Sequence, residues 1–83
     1  MTIEDYRKQI DLIDDQLLKL LNERARLAAC LGVLKAADGR PRRDKDRERE
    51  VLARVIDTNT GPLDVKAVSN IFRSIINEMH RAQ

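Results

Sequence analysis

The residues of this chain that could do chemistry are almost all charged, and the most informative of them stand where charge is expensive. Arg24 falls within an apolar heptad row, with Leu20, Leu27 and Leu31 around it. A guanidinium there costs free energy unless an anion or a carboxylate meets it. Lys35 continues the adjacent row Leu21, Ala28, Lys35, and Arg7 begins that row through Asp14. Further along, Arg47 stands one turn before Val51, Glu48 one turn before Leu52, and Gln83 one turn beyond Met79. Each predicted helix thus directs polar groups toward its apolar side, and most of these groups are cations. Cations converging inside a helical bundle, with few acids beside them, suit an anionic ligand. Arg24 also has a plainer reading, in which it pairs with an acidic residue across a dimer or extends its head to water.

Other chemistries find less support. The stretch RPRRDKDRERE (40–50) holds six basic and four acidic side chains in eleven positions. Within it Arg42, Arg43, Lys45, Arg49 and Glu50 read as a solvated face, and His80 reads as a surface residue. Cys30 reads as a small core filler or a surface thiol. One His and one Cys make no metal constellation. There is no glycine-rich phosphate loop, and no spacing recommends Ser69, Ser74 or Cys30 as a nucleophile beside a base. The 16 basic and 14 acidic residues are interleaved, for a net charge of +2 despite a pI near 9.0. Nucleic-acid binding needs blocks of one sign, so nucleic acid is not expected as a partner, and a duplex-binding dimer using the basic residues of 40–49 is kept only as a rival. No apolar run is long enough for a membrane span, no export signal is visible, and the single Cys30 fits a reducing compartment. The expectation is a cytoplasmic protein without membrane association.

The elements that must position these residues are helices. From about Ile3 to Ala36 the apolar residues Ile10, Ile13, Leu17, Leu20, then position 24, then Leu27, Leu31 and Leu34 recur at alternating intervals of three and four. That is a heptad seam on one long helix. Thr2 and Asp5 resemble a capping box, and Asp38-Gly39 before Pro41 is a helix stop. A second helix is expected over about 44–57, starting near Asp44 or Asp46 and burying Val51, Leu52, Val55 and Ile56. TNTGP (58–62) has turn chemistry. Asp64 then caps a third helix over about 64–82, with Val68, Ile71, Phe72, Ile75, Ile76 and Met79 on one face. The fold class is all-α, as one domain spanning 1–83. A first helix of roughly 50 Å has a seam that two short helices cannot cover, which predicts a homodimer.

Together, YRKQIDLIDDQLLKLLNERARLAACLGVLK (6–35), RPRRDKDRERE and IFRSIINEMHRAQ (71–83) resemble the all-helical class of chorismate mutase. The resemblance rests on the combination R-x-x-I-D-x-I-D, L-L-N-E-R, G-x-x-K and R-P-x-R-D-x-D-R-E, and it covers nearly the whole chain. It implies an intertwined dimer of three-helix subunits whose long first helices pair. It also implies rearrangement of chorismate to prephenate, on the way to phenylalanine and tyrosine, with no cofactor and no metal. By position, Arg7, Arg24 and Arg47 match the arginines that bind carboxylates and orient the site, with Arg7 contributed across the dimer interface. Lys35 and Gln83 match the pair that hydrogen-bonds the ether oxygen, with Lys35 the principal electrostatic catalyst. Glu48 and the backbone at Asp44 match the groups that hold the substrate hydroxyl. Met79 stands where the family pattern has a small polar residue, often Ser, on a carboxylate. Enzymes of this class occur alone and fused to neighbouring pathway activities. A related lyase acting on isochorismate shares the architecture and is the alternative within the resemblance. A non-catalytic helical dimerisation module is the alternative outside it.

Overall fold

A computed structural model describes residues 1–82 and consists, over those residues, of helices and the turns that join them. Helix α1 spans Ile3–Ala37, α2 spans Lys45–Thr58 and α3 spans Val65–Arg81. All three begin as their side chains dictate. Thr2 and Asp5 form a reciprocal capping box, Thr2 Oγ1 accepting from Asp5 N at 3.1 Å and Asp5 Oδ2 from Thr2 N at 2.9 Å. Asp44 Oδ1 accepts from Arg47 N at 3.0 Å, and Asp64 Oδ1 from Ala67 N at 2.8 Å. Both aspartates are therefore caps just outside their helices, so α2 and α3 each begin one residue later than expected.

The end of α1 also follows from its sequence. Asp38 N donates to Leu34 O at 3.1 Å, Gly39 takes the left-handed conformation at φ 69°, and Arg40 N reaches back to Lys35 O at 2.8 Å. A side chain at position 39 would be strained at that φ, which is why glycine closes the helix. After α2, Asn59 turns the chain by accepting from Gly61 N (3.1 Å) and donating to Leu63 O (2.7 Å).

The core is thin and lies at one end. Helix α3 packs against both α2 and α1, and the buried side chains are Val51 and Val55 of α2 with Val68, Ile76 and Met79 of α3. Leu52, Ile56, Phe72 and Ile75 are half-buried. Ile71, expected on the buried stripe, is 46% exposed. The apolar face of α3 is wider than the two short stretches of helix that cover it, and Ile71 lies at its uncovered edge.

Most of α1 extends past this core. The chain measures 54 × 24 × 17 Å, with a radius of gyration of 15.8 Å, where a compact domain of this length would have about 12 Å. Every residue from 1 to 20 is exposed. So is the seam: Ile10, Ile13, Leu17, Leu20, Leu27, Leu31 and Leu34 are each more than half exposed. Among the described residues, no helix is long and apolar enough to cross a membrane.

Candidate functional site

Where the three helices converge they enclose a cleft of about 280 Å³, close to the lower limit of small-molecule sites, about 300 Å³. Its polar lining is Arg24 and Lys35 from α1, Asp44, Arg47 and Glu48 from the start of α2, and His80 from α3. Ala28, Leu31, Val51, Ile76 and Met79 supply apolar wall. Arg24, Ala28, Leu31 and Lys35 follow one another at three- and four-residue steps, so a single face of α1 presents both cations. Both are half-buried. Asp44 is fixed by its role as cap, and Glu48 follows one turn later, its N bonded to Asp44 O at 3.0 Å.

The acids of the cleft are already engaged. Arg43 donates to both oxygens of Glu48, Nη2 to Oε1 at 2.7 Å and Nε to Oε2 at 3.1 Å. That fork holds the Glu48 carboxyl below its ordinary pKa against the opposing effect of burial. The same Arg43 Nη2 lies 3.0 Å from Asn77 Oδ1 on α3. Asp44 Oδ1 is occupied by the cap. By contrast, Arg24 and Lys35 have no carboxylate partner among the described residues; Lys35 Nζ makes one long contact, 3.5 Å, to Arg42 O. Arg47 pairs outward with Glu50 at 3.2 Å. The cleft therefore presents positive charge that its own acids leave uncompensated. Among the described residues of its own chain, Arg24 is not half of an ion pair.

Two sequence expectations are corrected here. Arg43, read as part of a solvated face, is the clamp on Glu48 and the link to Asn77. Arg42, from the same run, donates Nη2 to His80 O at 2.7 Å. His80, read as a surface residue, lines the cleft with its side chain only 18% exposed and Nε2 3.8 Å from Glu48 Oε2. Burial, reinforced by the neighbouring Arg43 charge, lowers the His80 pKa below its usual value, so the ring is neutral near neutral pH. Its Nδ1 is buried without a hydrogen-bond partner among the described residues. Position 80 had a visible signal, since it completes the four-residue row Val68, Phe72, Ile76, His80. Arg43 had none, because it precedes α2 and belongs to no helical period.

The remaining sequence-predicted residues divide. Met79 is buried in the wall, where a thioether supplies contact but no strong donor. Arg7 is not part of the cleft of its own chain. It is exposed and paired with Glu4 at 2.8 Å, about 25 Å along α1 from Arg24 at the helical rise. Gln83 lies outside the described residues.

Residues 6–83 match the family model for chorismate mutase type II. The bifunctional chorismate mutase/prephenate dehydratase of Neisseria gonorrhoeae is 43% identical over 75 residues, covering 88% of this chain and 20% of that protein. Its counterpart in Aquifex aeolicus is 37% identical over 79 residues, covering 90% of this chain and 22% of that protein. The chain thus spans about a fifth of the length of these curated relatives. Among solved structures, form I of the Thermus thermophilus chorismate mutase superposes with a TM-score of 0.90 at 34% identity, covering 93% of this chain and 96% of that one. The helix order, the cation-rich cleft and a family match beginning at Tyr6 agree, and the chain belongs to the chorismate mutase type II family.

Proposed function

We propose that this chain, as one domain over 1–83, converts chorismate to prephenate. The observation that supports this most is the pair Arg24 and Lys35, half-buried in the cleft with no carboxylate partner among the described residues while the cleft's acids are engaged. The reaction is a rearrangement within one molecule, in which an ether C–O bond breaks as a C–C bond forms. It calls for no nucleophile and no proton transfer. What it needs is a dicarboxylate held in its compact conformer, and donors aimed at the ether oxygen as negative charge develops there.

In this reading Arg24 and Arg47 bind substrate carboxylates, Lys35 donates to the ether oxygen, and Glu48 with the backbone at Asp44 holds the hydroxyl. Gln83 is the second donor to the ether oxygen. Arg7 arrives from a second copy of the chain, whose α1 covers the exposed seam, in an intertwined homodimer. The distance between Arg7 and the cleft of its own chain supports that assignment. Met79 offers no hydrogen bond where a hydroxyl would, so substrate is held by fewer donors. A cytoplasmic setting belongs to the same reading, supported by the free, exposed thiol of Cys30.

The test is the fall in chorismate ultraviolet absorbance on adding protein, matched to prephenate formed, with Arg24→Ala alongside. Turnover is expected, and Arg24→Ala should lower it by about a hundredfold or more. No absorbance loss at high protein concentration would overturn the reading. Turnover of isochorismate in its place would assign the lyase chemistry.

A further inference from the structure

Most ion pairs of this chain are local. Arg7–Glu4, Arg47–Glu50, Arg49–Asp46 and Arg81–Glu78 each join residues three apart on one helix, with every side chain at least 59% exposed. Pairs of that kind contribute little. Arg43 is different. It stands immediately before the cap of α2, and its guanidinium makes three hydrogen bonds to two helices, two to Glu48 of α2 and one to Asn77 of α3, 34 residues away. The Glu48 side chain it holds is only 22% exposed and faces the cleft.

We propose that Arg43 is a positioning residue: it locks the Glu48 carboxylate in one rotamer toward the cleft and anchors that geometry to α3 through Asn77. The inference rests on the reading of Glu48 as the group that holds the substrate hydroxyl, and deepens it. A free glutamate side chain samples many rotamers, and ordering it costs conformational entropy. A planar fork bonded to both carboxylate oxygens meets that cost before the ligand arrives. It also balances the Glu48 charge, so that a dianion entering the cleft is not repelled. Arg42, donating to His80 O at 2.7 Å, ties the same loop to the next turn of α3. The wall bearing Met79 and His80 is thereby set relative to Glu48. The charged or titratable groups facing Glu48 are Arg43 from the loop, His80 from α3 and Lys45 from α2.

The test is a double-mutant cycle on kcat/KM with chorismate. Arg43→Ala should lower kcat/KM about 10- to 100-fold, yet by less than about threefold in a Glu48→Gln background, because a residue acting through Glu48 loses its effect with it. Equal losses in both backgrounds would mean that Arg43 touches the ligand or merely supports the fold, and would overturn the proposal. Arg43→Lys keeps the charge without the fork and should stay impaired; full recovery would reduce the role to charge alone and also overturn it. Asn77→Ala leaves the Glu48 pair in place and should show a smaller loss that again vanishes in Glu48→Gln, which keeps the idea testable if Arg43→Ala does not fold. The Glu48 side-chain carboxyl, followed by carbon-13 NMR without ligand, should titrate at higher pH in Arg43→Lys and higher still in Arg43→Ala. An unmoved midpoint would eliminate the clamp. That last readout needs no turnover, so an inactive wild type would sink the mutase assignment while the clamp is still judged by itself.

Discussion

At the scale of single residues, the cleft is governed by which charges have partners. Glu48 and Asp44 are committed to Arg43 and to the α2 cap, while Arg24 and Lys35 line the same space with no carboxylate partner among the described residues. Desolvating two cations is unfavourable unless anions meet them, which is why the proposed reading gives the cleft a dicarboxylate. Lys35 is the sharpest probe of the chemistry. Lys35→Ala should reduce kcat by about a hundred- to a thousandfold, the effect of removing one donor from a developing oxyanion. Its circular dichroism should remain that of the parent, because among the described residues the ammonium makes one long hydrogen bond. Near-normal turnover in Lys35→Ala would remove Lys35 from the mechanism.

Among the elements, the caps are where local chemistry and site geometry meet. Asp64 and Asp44 do the same structural work, each accepting a backbone N–H three residues on. Only Asp44 also lines the cleft. Asp64→Ala should therefore cost about 1 kcal/mol of stability in urea unfolding and leave kcat/KM unchanged. Asp44→Ala should cost a similar amount of stability and lower kcat/KM as well. Equal catalytic effects from the two would show that start-of-helix stability, and not the position of Asp44, limits the site.

For the molecule as a whole, the dominant fact is an apolar seam that the described residues leave exposed. Leu20 is 59% exposed. In a monomer, Leu20→Arg would be a surface change, within about 0.5 kcal/mol of neutral. In the proposed homodimer it places a guanidinium in a packed interface. The expected result is a lower Tm for Leu20→Arg and a wild-type Tm that rises with protein concentration, as mass action requires. Sedimentation equilibrium should give twice the 9.5 kDa chain mass for wild type. A concentration-independent Tm and a monomeric mass would overturn the dimer, and with it the role of Arg7.

Much of this protein is determined by sequence alone, because its interactions are short in range. Helix caps, the Gly39 stop and heptad spacing act within four residues, so helix existence, order and ends are legible to within a residue. The cations of the cleft are legible for the same reason: Arg24 and Lys35 interrupt or extend an apolar row, and a charge on such a row is visible before any fold is known. Tertiary structure decided what lies across gaps in the chain. Arg43 acquires its meaning from Asn77, 34 residues away, and no periodicity links a loop residue to a helix that far downstream. His80 turns inward because α3 rotates its four-residue row toward α1 and α2, an angle set by side-chain packing and not by spacing. The engagement of Glu48 by Arg43 is likewise a through-space event. It separates the acids that are already satisfied from the cations that have no carboxylate partner among the described residues.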